Sequence, residues 1–270
     1  MTVPPLSYLR FLARQGAADV HPGGVIATRE LLHHLDPGSA RSVLEIGCGT
    51  ATTLTRIVSR WPVRIVGVDV LGDMLAVGRR RIGLAGADER ATLIRADAVA
   101  GLPFTSATFD RVYSESALGF HRRADARGLL AEVARVLRPG GRFVCSEAVW
   151  SPDAPTAQVD ALVGRATDDF GLPPASPDVR TASAWTALIA DAGFAVDAWT
   201  HGGRPRPEAS RGWSGSRAAL ASTVVSGVSR VAAASTPAWR RDRRRFRAKL
   251  AAYDESGLLQ AWFFVCRRLE

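Results

Sequence analysis

Between residues 41 and 149 short apolar runs alternate with stretches in which apolar positions recur every three or four residues. The runs at 42–46, 64–69, 91–96, 109–113 and 142–146 read as strands, and 52–61, 73–85 and 125–138 read as helices. Pro139-Gly140-Gly141 ends the last of these helices and turns the chain into the fifth strand. Alternation of this kind predicts βαβ units and a parallel sheet. Ahead of it, 8–14 and 26–35 read as short helices joined by His21-Pro22-Gly23-Gly24. Behind it come a Pro-rich stretch, 151–177, a helix at 182–192, and two more strands at 194–200 and 259–268. The 58 residues between those two strands are too many for a hairpin. They are polar and rich in Gly and Pro at 202–215, then helical in pattern. The expected architecture is α/β, a seven-stranded and mostly parallel sheet with helices on both faces. A helical cap occupies 1–40, the core 41–203, a second helical cap 204–258, and the last strand 259–270.

The composition changes this picture little. A chain of 270 residues, 47% of them hydrophobic, can bury a core without covalent staples. Its three cysteines, Cys48, Cys145 and Cys266, stand far apart in apolar runs, which fits a reducing compartment and offers neither disulfide nor metal-ligand spacing. No leader and no membrane-spanning stretch is read from the pattern, so a cytoplasmic protein with no bound metal is expected. The net charge of +9 lies wholly at one end. Residues 1–203 carry 21 basic and 21 acidic side chains, and residues 204–270 carry 14 and 5.

The chemistry concentrates where the first strand meets its helix, at Glu45-Ile46-Gly47-Cys48-Gly49-Thr50-Ala51. Glycines there allow a tight turn and a close approach of backbone to ligand, and the helix start offers free N–H groups. Twenty residues past Gly49 the second strand ends in Asp69, placed to accept from ribose hydroxyls. This pattern serves either a nicotinamide dinucleotide or S-adenosylmethionine. The dinucleotide fingerprint requires a third glycine where Thr52 stands. Glu45, two residues before the first glycine, would repel a pyrophosphate yet suit a ligand with a sulfonium and an amino group. The charges therefore favour the methyl donor.

The same residues resemble the first motif of class I S-adenosylmethionine-dependent methyltransferases, Glu-x-Gly-x-Gly-x-Gly. The resemblance continues through Gly67-Val68-Asp69-Val70, Arg95-Ala96-Asp97-Ala98, Leu102-Pro103-Phe104, Phe109-Asp110-Arg111-Val112 and Val136-Leu137-Arg138-Pro139-Gly140-Gly141. It is most similar to the small-molecule branch that includes quinone-biosynthesis, tocopherol and sterol methyltransferases. Ala51 departs from the pattern where a third glycine is common. The resemblance implies a Rossmann-like fold and S-adenosylmethionine as cofactor, with S-adenosylhomocysteine as its product. It implies Gly47, Cys48 and Gly49 along the methionine portion, with Glu45 behind them. Asp69 would meet the ribose, Val70 the adenine ring, Asp97 the adenine amino group, with Ala98 beside it. Ser114 would lie near the transferable methyl.

The acceptor side is read from 113–121, which leaves the C-terminal end of the fourth strand. Glu115 and His121 are the candidates for a base or acceptor-orienting group, with Tyr8, His21 and Glu147 as weaker ones. The Asn/Asp-Pro-Pro-aromatic run of amino-methylating enzymes that act on bases or amides is missing here. The basic segment 239–249 carries Trp239, Phe246, Leu250 and Tyr253 as an apolar helical stripe. The expected partner is a small, apolar or anionic metabolite, as in secondary metabolism. The alternatives are an RNA or DNA methyltransferase using the basic last quarter, or a cofactor-binding relative that catalyses a cyclisation or isomerisation.

Overall fold

The computed structural model describes residues 7–200, 217–234, 236–251 and 257–270. Its strands are β1 (Ser42–Ile46), β2 (Arg64–Asp69), β3 (Ala91–Arg95), β4 (Phe109–Glu115), β5 (Leu137–Trp150), β6 (Phe194–Thr200) and β7 (Leu259–Arg268). They form one sheet in the order β3-β2-β1-β4-β5-β7-β6, in which β7 alone runs antiparallel to its neighbours. The order reverses between β1 and β4, so the loops leaving these strands diverge and open a crevice at their C-terminal ends. The helices are α1 (Ser7–Arg14), α2 (Gly24–Leu35), α3 (Thr52–Arg60), α4 (Gly72–Ala85), α5 (Arg123–Val136), α6 (Thr156–Phe170), α7 (Ala182–Asp191), α8 (Arg217–Ala234) and α9 (Pro237–Ala251).

Alternation along the strands builds two cores. Leu44, Val112, Phe143 and Cys145 face Leu129, Leu130 and Val133 of α5 and Trp185 and Leu188 of α7. Val43, Tyr113 and Val144 face Leu31 and Leu35 of α2, Leu54 and Ile57 of α3 and Leu75 of α4. A third cluster, Phe11, Leu12, Phe170, Trp239 and Phe246, joins α1, α6 and α9 over the crevice.

Two features differ from the sequence expectations. The stretch 151–177 holds a 15-residue helix, α6, between Pro155 at its N-cap and Gly171, whose φ of 80° closes it. Its buried Val159, Leu162, Ala166 and Phe170 are spaced as one helical face, a signal masked by the prolines that flank it. β4 runs on through Glu115, so Ser114 lies inside the strand. In the second cap α8 packs on α3 and α4 through its buried Ala218, Ala221 and Val225, while Val224, Val228 and Val231 stay exposed. Trp239 and Phe246 of α9 are buried. Tyr253 and the Gly/Pro-rich 202–215 lie outside the described residues. Among the described residues no single helix is long and apolar enough to cross a membrane.

Two buried charged side chains position the crevice. Arg81 of α4, with no exposed surface, donates to the Thr50 carbonyl and, at 3.2 Å, to the Gly16 carbonyl. Burial lowers its pKa to about 10. Thr50 in turn donates to the Ala17 carbonyl (2.6 Å), and Ser226 of α8 to that of Gly16 (2.6 Å). Glu147 of β5 accepts from the amides of Ala117 (3.2 Å), Leu118 (3.2 Å) and Gly119 (2.9 Å) and from Ser114 Oγ (3.1 Å). It thereby holds the turn that follows β4. Burial pushes its carboxyl up to about 7, against the pull of the Gly119 and Leu118 amides and Ser114.

Replacing Arg81 by Met keeps the aliphatic volume and leaves the Thr50 carbonyl without this donor. Urea unfolding should show a loss of about 1–3 kcal/mol at unchanged m-value. For Glu147 the sign follows from a folded pKa above the unfolded one, 4.5. The fold holds the proton more tightly, so the stabilisation is complete below about pH 4.5 and is lost as pH rises through about 7. The stability of the parent relative to Glu147→Gln should therefore fall across that window, by on the order of 3 kcal/mol at most, and level off above it.

Candidate active site

Four strand ends deliver the site. β1 ends at Glu45 and Ile46, and the loop after it uses positive φ at Gly47 (68°), Gly49 (50°) and Ala51 (55°) before α3 begins. A Cβ on Gly47 would stand 2.7 Å from that of Ala117, so this glycine lets the turn after β4 come close. At Gly49 a Cβ would meet nothing within 4 Å, so the backbone there borders open space. The Cys48 amide donates to the Val68 carbonyl (3.0 Å), tying the loop to β2. Burial pushes the Cys48 thiol well above its ordinary pKa, so it is inert as a nucleophile.

Glu45 is buried, and its Oε2 has no hydrogen-bond partner. Burial raises its carboxyl well above the ordinary range, and the nearby Glu115 carboxylate adds to the rise. Asp69, ending β2, accepts from the Gly49 amide through Oδ2 (2.8 Å) and from the Leu71 amide through Oδ1 (2.8 Å). Each oxygen keeps a second lone-pair direction free for a hydroxyl. Burial raises its pKa. Beyond β3, the exposed Asp97 accepts from the Val99 amide through Oδ1 (2.9 Å), and Ala98 beside it is buried. Val70 remains 40% exposed at the rim.

On the β4 side, Glu115 accepts from Thr28 Oγ1 (2.7 Å) and Thr53 Oγ1 (2.6 Å). His21 Nε2 lies 3.3 Å from Glu115 Oε1. Ser116, at φ 55°, has a buried hydroxyl without a partner. His121 follows the short turn Leu118–Phe120, and burial lowers its pKa.

Glu45, Gly47, Cys48, Gly49, Asp69, Val70, Asp97, Ala98, Glu115 and His121 all line one cavity of about 450 Å³, as do Tyr8, His21 and Glu147. Ser114 does not. Its side chain is fully buried behind the wall and bonds Glu147, because the strand runs one residue past it and alternation turns it inward. Thr53 and Ser116 line the cavity without having been singled out in the sequence, and Thr28 stands behind Glu115. The far walls are apolar, with Leu9 and Leu12 from α1, Phe170 and Leu172 at the end of α6, and Leu250 from α9. Anionic groups at one end and apolar walls at the other suit a cationic, hydroxylated ligand beside a hydrophobic one.

Residues 43–141 match the model of a methyltransferase domain. The chain is 31% identical over 191 residues to an uncharacterized methyltransferase, YodH, of Bacillus subtilis, covering 69% of this chain and 74% of that one. It is 33% identical over 170 residues to a demethylmenaquinone methyltransferase of Thermus thermophilus, covering 58% and 75%. With several other curated relatives the match spans 43–57% of the relative's length. Among solved structures, phosphoethanolamine N-methyltransferase 2 of Haemonchus contortus in complex with S-adenosyl-L-methionine superposes with a TM-score of 0.67 at 17% identity, covering 97% of this chain and 57% of that one. The strand order, the crevice and the extent of the sequence matches agree, and the chain belongs to the class I methyltransferases, in the branch that works on small molecules.

Proposed function

We propose that the chain binds S-adenosylmethionine in this cavity and methylates a small, largely apolar metabolite. The observation that carries the reading is the buried Glu45 carboxylate, whose Oε2 has no hydrogen-bond partner among the described residues. A buried carboxylate is costly unless something pairs with it, and a ligand with a cationic end supplies that pairing. Asp69 and Asp97, at the ends of the next two strands, continue the row with acceptors for a sugar diol and for an exocyclic amine. Gly47, Cys48 and Gly49 would border the amino-acid end, and Val70 and Ala98 the adenine ring.

S-adenosylmethionine supplies an electrophilic methyl on sulfur, which leaves alignment and exclusion of water to the protein. Alignment falls to the turn held by Glu147, which presents Ser116, Ala117 and His121 toward the cavity. Water is excluded by the cluster that joins α1, α6 and α9, with Tyr8 5.0 Å from Phe170 and 5.3 Å from Phe246 between ring centroids. The apolar side chains this cluster turns into the cavity favour an acceptor that is itself mostly apolar. His121, kept toward its neutral form by burial, would orient it.

Isothermal titration with S-adenosylhomocysteine tests the cofactor assignment. Asp69→Ala should weaken binding by about 1.5–3 kcal/mol, roughly 10- to 150-fold, with an unchanged far-ultraviolet spectrum. Asp69→Asn, which keeps one acceptor oxygen, should lose less. NAD should produce no heat and no rise in melting temperature. Binding by Asp69→Ala at the parent's affinity, or stabilisation by NAD alone, would overturn the assignment.

A further inference from the structure

Glu115 is the meeting point of side chains from two segments distant in sequence. Thr28 of α2 and Thr53 of α3 each donate a hydroxyl proton to it, at 2.7 Å to Oε1 and 2.6 Å to Oε2. His21, in the loop before α2, stands with Nε2 3.0 Å from Thr28 Oγ1 and 3.3 Å from Glu115 Oε1. The side chains of His21 and Glu115 are only 9% and 7% exposed, and both residues line the cavity.

The proton count fixes what each group can do. A threonine hydroxyl has one proton, and that of Thr28 has two acceptors, the Gly24 carbonyl at 3.4 Å and Glu115 Oε1 at 2.7 Å, of which the shorter contact takes it. The oxygen of Thr28 can then only accept from His21, so Nε2 carries a hydrogen. In a neutral imidazole the lone pair is then on Nδ1. Glu115, with a threonine proton on each oxygen, acts on the imidazole through Thr28 and directly. A proton arriving at Nδ1 would find the Pro22 carbonyl 3.3 Å away as its acceptor, and the imidazolium would be balanced by Glu115. This is the arrangement of an oriented general base, in which a carboxylate sets the tautomer and the opposite nitrogen takes the proton.

We propose that His21 Nδ1 is the proton acceptor of the transfer, that Thr28 and Glu115 are its positioning residues, and that the acceptor molecule carries a hydroxyl on an otherwise apolar frame. The proposal rests on the reading of the cavity as a methyl-transfer site. A hydroxyl, unlike a neutral amine, becomes an adequate nucleophile only as its proton leaves, and a buried, oriented base answers that need. The acceptor oxygen forms its bond to the methyl carbon as the carbon–sulfur bond of the sulfonium donor breaks. The electron pair of that bond stays on sulfur, and the hydroxyl proton passes to Nδ1, from which water later removes it. The rings and aliphatic chains of Tyr8, Leu9, Leu12, Phe120, Phe170 and Leu172 give the frame its apolar surroundings. The base thus moves from Glu115, the sequence candidate, to the histidine that Glu115 orients.

The test uses the full chain labelled with nitrogen-15 in histidine and saturated with S-adenosylhomocysteine. Two-bond proton–nitrogen spectra, with the His21 signals identified by their loss in His21→Asn, should show that in the neutral ring the hydrogen is on Nε2. In Thr28→Val that preference should be lost while affinity for S-adenosylhomocysteine changes less than about twofold. Turnover is read as S-adenosylhomocysteine released from S-adenosylmethionine, with 2-naphthol and 2-naphthylamine as paired probes. The naphthol should be preferred, and His21→Ala should lower its kcat by about 10²- to 10⁴-fold at similar KM, with partial recovery in added imidazole. Hydrogen on Nδ1 of the neutral ring, a permanently charged ring, or preference for the amine with His21→Ala as active as the parent would overturn the proposal. If S-adenosylhomocysteine fails to bind at all, the cofactor reading falls first; if it binds and only the tautomer or probe result is contrary, this inference alone falls.

Discussion

The carbonyl of Thr50 sits at the end of a loop in which three residues take positive φ, and the guanidinium of Arg81 holds it there. The same guanidinium reaches the Gly16 carbonyl, so one buried cation sets the path of the glycine loop and fastens the segment after α1 against it. Neither task can be done by backbone pairing alone, because the loop has left β1 and the N-terminal segment joins no strand. Thr50 and Ser226 repeat the connection to Ala17 and Gly16 from two further elements. Ala51, the residue that departs from the family pattern, fits the same arrangement. It takes the backbone conformation a glycine would, with its methyl fully buried, and Gly78 of α4 leaves the room: a Cβ there would come within 3.0 Å of that of Ala51.

The carboxylates around the crevice meet different fates in a small space. Glu147 is satisfied by three amides and a hydroxyl and serves the turn it holds. Glu115 is satisfied by two threonines and faces a histidine. Asp69 accepts two amides. Glu45 has a buried oxygen without a hydrogen-bond partner among the described residues, and burial is the largest reason its pKa is raised. A row of acids divided in this way is better suited to binding a cationic, polyhydroxylated ligand than to performing acid–base work throughout. The proton-handling role is then concentrated where a histidine is in contact with an acid.

The sheet and the glycine loop were legible in the sequence because their signals are short-range. Alternating apolar runs, a Gly-x-Gly at a strand end and an acid at the next strand end each lie within a few residues of one another. The seven strands and the helices other than α6 follow from such signals, and the positions from Glu45 to Ala98 that they single out line the cavity. The contacts of Glu115 are of another kind. Thr28 is 87 positions away and Thr53 is 62, and nothing in a run of residues announces that three threonine and histidine side chains will converge on one glutamate. Local signals also misled where two competed. The prolines flanking α6 outweighed its apolar stripe, so the helix was read as a Pro-rich connection. Ser114 was read as lying just past a strand ending at 113; β4 runs two residues further, and alternation along it turns the Ser114 side chain into the core.

The sheet order also dictates when its parts can form. β6 pairs only with β7, and 58 residues of chain separate the two. During synthesis at about 5–20 residues per second, β6 therefore waits about 3–12 s for its partner, while β5, which ends earlier in the chain, keeps one edge unfilled for about 5–22 s. Both are then bare strands of the kind that pair with other chains. β6 carries a single charge, the exposed Asp197, in the middle of Phe-Ala-Val-Asp-Ala-Trp-Thr, which is where a charge best interrupts such pairing. A residue with no part in the cleft thus guards the chain through the interval in which the sheet is still incomplete.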